Sequence, residues 1–310
     1  MKLNPLLFLA LIPPILYTLG NYLDQYLVHT YSNNEENENS GVLSLIIVSS
    51  VFSILVLIIL GIIFGSSLLI SLNTALLLIL AGVLTITAIT LYLFALQLED
   101  ADVVTPWWQL IPLCSLLAAW LFLHELPTSI QLISGGVILV GAVLMNINPN
   151  RAGYFNRRMV LLMLGSTLCW TAMNILFKFV SVPDTFWISL FWQHIGIFLF
   201  GAFWYFISRK ARLGFVDLIK TSGPTLLFFN AINELTTVVG DGLLQYAVLF
   251  GPIALAEVMH GTQILWVFLV GLVLYRFNPK IFRREDSEKT IWWKVSGLVC
   301  ILGGLALLLF

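Results

Sequence analysis

The sequence predicts an all-α integral membrane protein of ten transmembrane helices, arranged as two inverted five-helix repeats. Three observations carry this. Hydrophobic residues make up 59% of the chain, charged residues only 10%, and mean hydropathy is +0.97, far outside the soluble range. Apolar runs recur along the whole length, each near the roughly 20 residues that a helix needs to cross a hydrocarbon core, and the alternation of an outer-membrane barrel is absent. Finally, the stretch Ala95–Pro127 recurs 152 positions later as Ala247–Pro279. Ala95 falls on Ala247, Leu117 on Leu269 and Pro127 on Pro279 without a gap. Ser134-Gly135 and Gly141 recur as Ser296-Gly297 and Gly303 at an offset of 162, and Asn21 and Gln25 fall on Asn174 and Lys178 at 153. The two units are then residues 1–150 and 151–310.

Helix 1 is expected over about Pro5 to Val28, bent at Pro13 and Pro14, since a proline inside a helix removes a hydrogen bond and neighbouring helices must satisfy the freed carbonyls. Tyr17, Asn21, Asp24 and Gln25 fall on one face, turned into the bundle. No small-residue cleavage site follows the first apolar stretch, so a removable leader is not expected. The next loop, around Ser32–Gly41, is acidic and without Lys or Arg, a solvated connector. Helices 2 (about Val42 to Phe64) and 3 (about Thr74 to Leu96) are uncharged and read as scaffold.

The break Leu98–Asp102 carries three acids, after which helix 4 begins with Thr105, Trp108, Gln109 and Pro112 on one side. For the Trp107-Trp108 pair, an interfacial belt and a stacking role in a cavity both fit. Helix 5, about Ile130 to Met145, carries Gly135, Gly136 and Gly141, which let two helices approach closely. Asn146 to Arg158, rich in Asn and Arg, reads as the linker between halves.

Helix 6, about Met159 to Val180, sets Trp170, Asn174 and Lys178 four apart on one face. Lys178, near the end, fits either snorkelling to headgroups or a buried functional cation. Helix 7, about Phe186 to Ile207, carries Gln193 and His194 among aromatics. Helix 8, about Thr225 to Leu249, aligns Asn230, Asn233, Glu234, Thr237, Asp241 and Gln245 in one stripe. Helix 9, about Ala254 to Leu274, has Glu257, His260 and Gly261 along one side. A basic loop, Tyr275 to Lys294, leads to helix 10, Val295 to Phe310, with Gly297, Gly303 and Gly304 for packing.

Enzyme signatures are missing: His124-Glu125 does not continue as HExxH, and there is no GxSxG turn, Walker loop or GxGD. Catalysis is therefore not expected. Cys114, Cys169 and Cys300 sit in apolar runs without metal spacing, so neither metal nor cofactor is expected, and a net charge of −1 offers no footing for nucleic acid. What remains are polar residues on the inward faces of helices 1, 4, 6, 8 and 9, drawn from both repeats. That is the distribution of a cavity at a repeat interface, where secondary transporters bind substrate.

The substrate-binding candidates are Asn21, Gln25, Trp108, Gln109, Asn174, Lys178, Asn233 and His260, with Asn21 and Gln25 facing Asn174 and Lys178 across the cavity. Amides that donate and accept suit a zwitterionic or hydroxylated solute. Glu234, Asp241 and Glu257 are the candidates for proton coupling, because each ionised acid near a helix centre costs about 2.5–3.5 kcal/mol to insert. The plainer alternative keeps these acids neutral and hydrogen-bonded to Asn230 and Asn233, or paired with Lys178.

The segment EDADVVTPWWQLIPLCSLLAAWLFLHELPTSIQLISGGVILVGAVLM resembles the signature segment of the EamA-like transporters of the drug/metabolite transporter superfamily. A break leads into a helix with a proline near its middle, here Pro112, then a long apolar run ending in a Gly-Glu or similar pair, here His124-Glu125, and a Gly-rich next helix. The second copy departs from this pattern, with Arg276-Phe277 where the Glu belongs. The resemblance implies a secondary transporter of a small organic metabolite, an amino-acid, nucleotide-sugar or drug-like solute, working by alternating access in the cell (inner or plasma) membrane amid its lipid. A competing expectation is a flippase-like or non-transporting membrane component that handles a lipid-linked sugar or anchors a partner, which requires a groove open to the bilayer. Thirteen Lys and Arg between Arg151 and Lys294 fall in the loops after helices 5, 7 and 9, against Lys2 on the other side. The positive-inside rule then predicts both termini outside, whereas the resemblance implies cytoplasmic termini.

Overall fold

The computed structural model describes residues 9, 11–32, 38–123, 128–145, 156–181, 185–250, 260–277 and 288–307. Among these there is no strand. The ten principal helices among the described residues are α1 Pro13–Tyr31, α2 Glu38–Phe64, α3 Leu72–Leu96, α4 Ile111–Leu123, α5 Ser129–Met145, α6 Arg157–Val180, α7 Phe186–Ile207, α8 Arg209–Val248, α9 Gln263–Phe277 and α10 Glu288–Leu307. The boundary expected at 150/151, the His124-Glu125 pair and Glu257 lie outside the described residues.

Four helical stretches, Ser40–Leu68, Leu72–Leu96, Arg157–Val180 and Phe186–Ile207, are by themselves long and apolar enough to cross a membrane. Helices α1 and α8 are less apolar because each carries a polar face. Large apolar side chains stand outside the bundle, Ile62 79% exposed, Phe179 80% and Phe206 74%, a belt that water would penalise and lipid accepts.

Several local features depart from expectation for physical reasons. Pro13 and Pro14 do not bend a helix midway; they begin α1, occupying its first positions, where the missing N–H has no partner to lose. The chain enters α4 through a short helical turn, Ala101–Val104, and a 3-10 stretch, Thr105–Leu110. Three residues per turn stack i on i+3, so Trp108 and Ile111 share one side. The segment expected as a loop after helix 7 is helical: α8 starts at Arg209, directly after Ser208, whose hydroxyl caps it by accepting from Ala211 N at 3.2 Å.

That long helix is bent. Ser44 Oγ donates to the Ala211 carbonyl at 2.9 Å, and Asn230 Nδ2 donates to Ser49 Oγ at 3.2 Å. From Ala211 to Asn230 a straight helix measures about 28 Å, whereas Ser44 and Ser49 are only about 8 Å apart along α2. Both contacts hold only if α8 turns between them, where it contains Pro224, a residue that breaks the helical ladder.

The helices pack in recurrent pairs: α3 on α6 and α7, α2 on α7 and α8, α1 on α8 and α9, α4 on α6, and α5 on α10. Hydrophobic burial cannot drive this in lipid, so close approach does. Gly82 of α3 and Gly196 of α7 face each other so tightly that a Cβ on either would come within 3.1 Å of the other's Cα and press on opposing backbone. Gly141 of α5 likewise abuts Gly297 of α10, and Gly304 meets Ser134 and Ile138. Gly136 and Gly303, expected as packing residues, have open space beside them.

Candidate functional site

Between the helices lies a cavity of about 950 Å³, its mouth included, with walls from α1, α2, α3, α6, α7, α8, the 3-10 entry to α4, and the start of α9.

One wall is the contact of α1 with α8. The Tyr17 hydroxyl donates to Asp241, and Asn233 Nδ2 donates to Asp24 Oδ1 at 2.7 Å. Glu234, between them on α8, lies beside Ser49 of α2. Glu234 feels the charges of both Asp24 and Asp241, and His260 acts on Asp241 from the start of α9. Opposite, Tyr92 of α3 donates through its hydroxyl to Asn21 Oδ1 at 3.1 Å. Helix 3, expected as scaffold, thus shapes the site.

A second wall is aromatic. Tyr92 and Trp108 lie with ring centroids 4.4 Å apart and planes 32° apart, and Trp108 and Trp170 follow at 6.1 Å and 36°. Tyr17 meets Trp170 edge to face at 6.5 Å and His260 at 4.9 Å. Trp108 is held by Nε1 donating to Ser166 Oγ at 3.0 Å, and that hydroxyl donates on to the Ala88 carbonyl at 2.8 Å. Trp108 therefore faces the cavity, while Trp107 is buried away from it.

Of the residues singled out in the sequence, Asn21, Trp108, Asn233, Glu234, Asp241 and His260 come together in the lining. Gln25, Gln109, Asn174 and Lys178 do not line it. Gln25 is turned to the start of the α4 entry, donating to Asp100 Oδ1 at 2.8 Å and accepting from Ala101 N at 3.1 Å. Gln109 and Asn174 are buried in the bundle, and Lys178 is half-buried near the end of α6. The expected meeting of Asn21 and Gln25 with Asn174 and Lys178 is taken instead by Tyr17 and Trp170, one turn earlier on the same faces. Sequence reasoning missed Asp24, Thr85, Tyr92, His194 and Gln263 as lining residues. For Asp24 the signal was present, since it shares the Asn21 face of helix 1; Tyr92 in an apolar helix offered none.

Lys294, expected in a loop, lies within α10 and is buried, its Nζ 2.6 Å from Asp102 Oδ2. This pair ties α10 to the α4 entry, and His29 stands 3.9 Å from Asp100 nearby.

Residues 34–147 match the sequence pattern of the EamA-like transporter family. No curated protein matches the chain. Among 24 solved chains that match, a crystal structure of a protein shares its fold over 96% of this chain and 97% of its own, at TM-score 0.55 and 14% identity. Identity that low speaks for the fold alone.

Proposed function

We propose, from the match of residues 34–147 to the EamA-like transporter family, that the protein is a secondary carrier that moves a small organic solute across a membrane by alternating access around the central cavity. One observation carries this reading: the cavity is lined by pairs of residues that stand one proposed repeat offset apart. At the 152-residue offset, Thr85 pairs with Thr237, Ile86 with Val238, Ile89 with Asp241, Trp108 with His260, and Ile111 with Gln263, and both members of each pair line the cavity. Tyr17 and Trp170 do so at 153.

Helix packing supports the same two-repeat reading. The contact of α3 with α6 answers to that of α8 with α1, α3 with α7 to α8 with α2, and α4 with α6 to α9 with α1. Helices α2 and α7, and α5 and α10, pair with their own equivalents. Two similar halves around one site can exchange conformations by rocking.

In this reading the chain is a carrier and not an enzyme, placed in the cell (inner or plasma) membrane with the exposed cations Arg209, Lys210 and Lys220 at the start of α8 on the cytoplasmic side. Glu234 and Asp241 are the groups through which protons couple to transport. Full-length protein reconstituted into sealed vesicles should take up a labelled solute from an amino-acid, amine and nucleotide-sugar panel with saturable kinetics, and Trp108→Ala should reduce that uptake about five- to thirtyfold by removing a stacking wall worth about 1–2 kcal/mol. Uptake of every solute at the rate of protein-free vesicles would contradict the proposal.

A further inference from the structure

We infer that the solute is an organic cation: an amine carrying an apolar or aromatic body. This rests on the carrier reading of the same cavity and narrows it. The lining holds three carboxylates, Asp24, Glu234 and Asp241, and, among the described residues, neither Lys nor Arg. Asn233 and Tyr17 each donate one hydrogen bond to a carboxylate, and Ser49 lies beside the third. These neutral partners hold the acids in place without supplying a counter-charge. His260 acts on Asp241, while Asp24 and Glu234 face the cavity beside the neutral side chains of Asn233 and Ser49. Carboxylates withdrawn from water are costly unless a cation joins them, and a ligand ammonium fills that role.

Two almost wholly buried amides point to a ligand independently of the acids. Asn21, 3% exposed, has an unpartnered Nδ2, and Gln263, 1% exposed, has neither Oε1 nor Nε2 partnered; both line the cavity. Buried polar groups are otherwise almost always satisfied. Gln263 Oε1 is an acceptor for an ammonium N–H, and the two amide NH₂ groups are donors for a hydroxyl or carbonyl oxygen on the same solute.

The aromatic wall selects the rest of the molecule. Tyr92, Trp108 and Trp170 form a series whose faces attract a cation and cover an apolar body. An anion entering this space meets three carboxylates, and a zwitterion brings its own carboxylate against them. A bare metal ion is a poorer match, because no three His, Cys, Asp or Glu among the described residues are grouped to hold one.

A matched probe series separates these cases: phenethylamine, 2-phenylethanol, phenylacetate and phenylalanine share one ring and differ in charge. With full-length protein in detergent, calorimetric titration should show phenethylamine binding at least about tenfold more tightly than 2-phenylethanol, with phenylacetate weakest. Asp24→Asn and Glu234→Gln should each remove most of that preference while leaving 2-phenylethanol affinity within about threefold, which also shows that the variants are folded. Equal affinities, a preference for the anion or zwitterion, no detectable amine binding, or a preference that survives both substitutions would overturn the inference. Uptake into vesicles distinguishes the two readings: an amine bound but not moved contradicts the carrier, whereas a moved anion contradicts only the cationic solute.

Discussion

The rings of Tyr17 and Trp170 meet edge to face with centroids 6.5 Å apart, and the two residues stand 153 positions apart, the offset that also separates Asn21 from Asn174. Their contact joins α1 to α6 at the cavity, while the Tyr17 hydroxyl orients Asp241 on α8. Tyr17→Phe keeps the ring and removes only the hydroxyl. Because a hydrogen bond to an ionised acceptor contributes about 1.5–3 kcal/mol, the variant should unfold more easily by up to that amount, measured by denaturation in detergent. It should also bind the amine probe more weakly, and unchanged stability together with unchanged affinity would remove this bond from the account.

Close approach at Gly82 and Gly196 predicts an asymmetric glycine series. Gly82→Ala places a methyl against the Gln193 backbone and should destabilise by about 1–3 kcal/mol, the cost of overpacking. Gly136→Ala, with open space beside it, should be neutral or stabilising by up to about 1 kcal/mol through helix propensity. Thermal midpoints of the two variants decide this, and equal losses would place the helices farther apart than described.

Breaking the Lys294–Asp102 pair should cost stability without touching the solute. Lys294 is 7% exposed and Asp102 24%, so the pair is screened less than a surface bridge and more than a fully buried one. Lys294→Met should destabilise by about 2–3 kcal/mol and leave probe affinity unchanged. A loss of affinity with intact stability would show the pair to be part of the site.

Coupling is tested at Asp241. Asp241→Asn removes the exchangeable charge while keeping an acceptor for the Tyr17 hydroxyl, so solute exchange across vesicles of equal pH should continue. Accumulation driven by an imposed proton gradient should fall to the level of exchange alone. If Asp241→Asn and Glu234→Gln both accumulate solute as the parent does, these acids do not couple protons.

Much of this architecture was legible from the chain, and the failures have physical causes. Apolar runs of bilayer length reveal helices directly, because lipid leaves the backbone one local solution. Helix ends are less visible. Pro13 and Pro14 look alike in sequence whether they kink a helix or begin one, and the amphipathic Arg209–Gly223 looks like a basic loop until Ser208 is seen to cap it. The stripe on α8 was readable because six polar residues repeat at helical spacing on a membrane helix. The aromatic wall was only half readable, since Trp108 owes its direction to a 3-10 turn and Tyr92 and Trp170 owe theirs to partners far along the chain. Gln25 was misdirected for a related reason: its amide finds the α4 entry, 75 residues on.

Alternating access is tested most directly at Thr85 and Thr237, lining positions 152 residues apart on α3 and α8. In a background with Cys114, Cys169 and Cys300 replaced, Thr85→Cys and Thr237→Cys are each exposed in sealed vesicles to a membrane-impermeant thiol reagent, applied in turn from either side. Both cysteines should be labelled from both faces, with conditions that favour labelling from one face suppressing it from the other. Labelling of both from a single face under every condition would contradict a carrier that opens its central cavity alternately to the two sides.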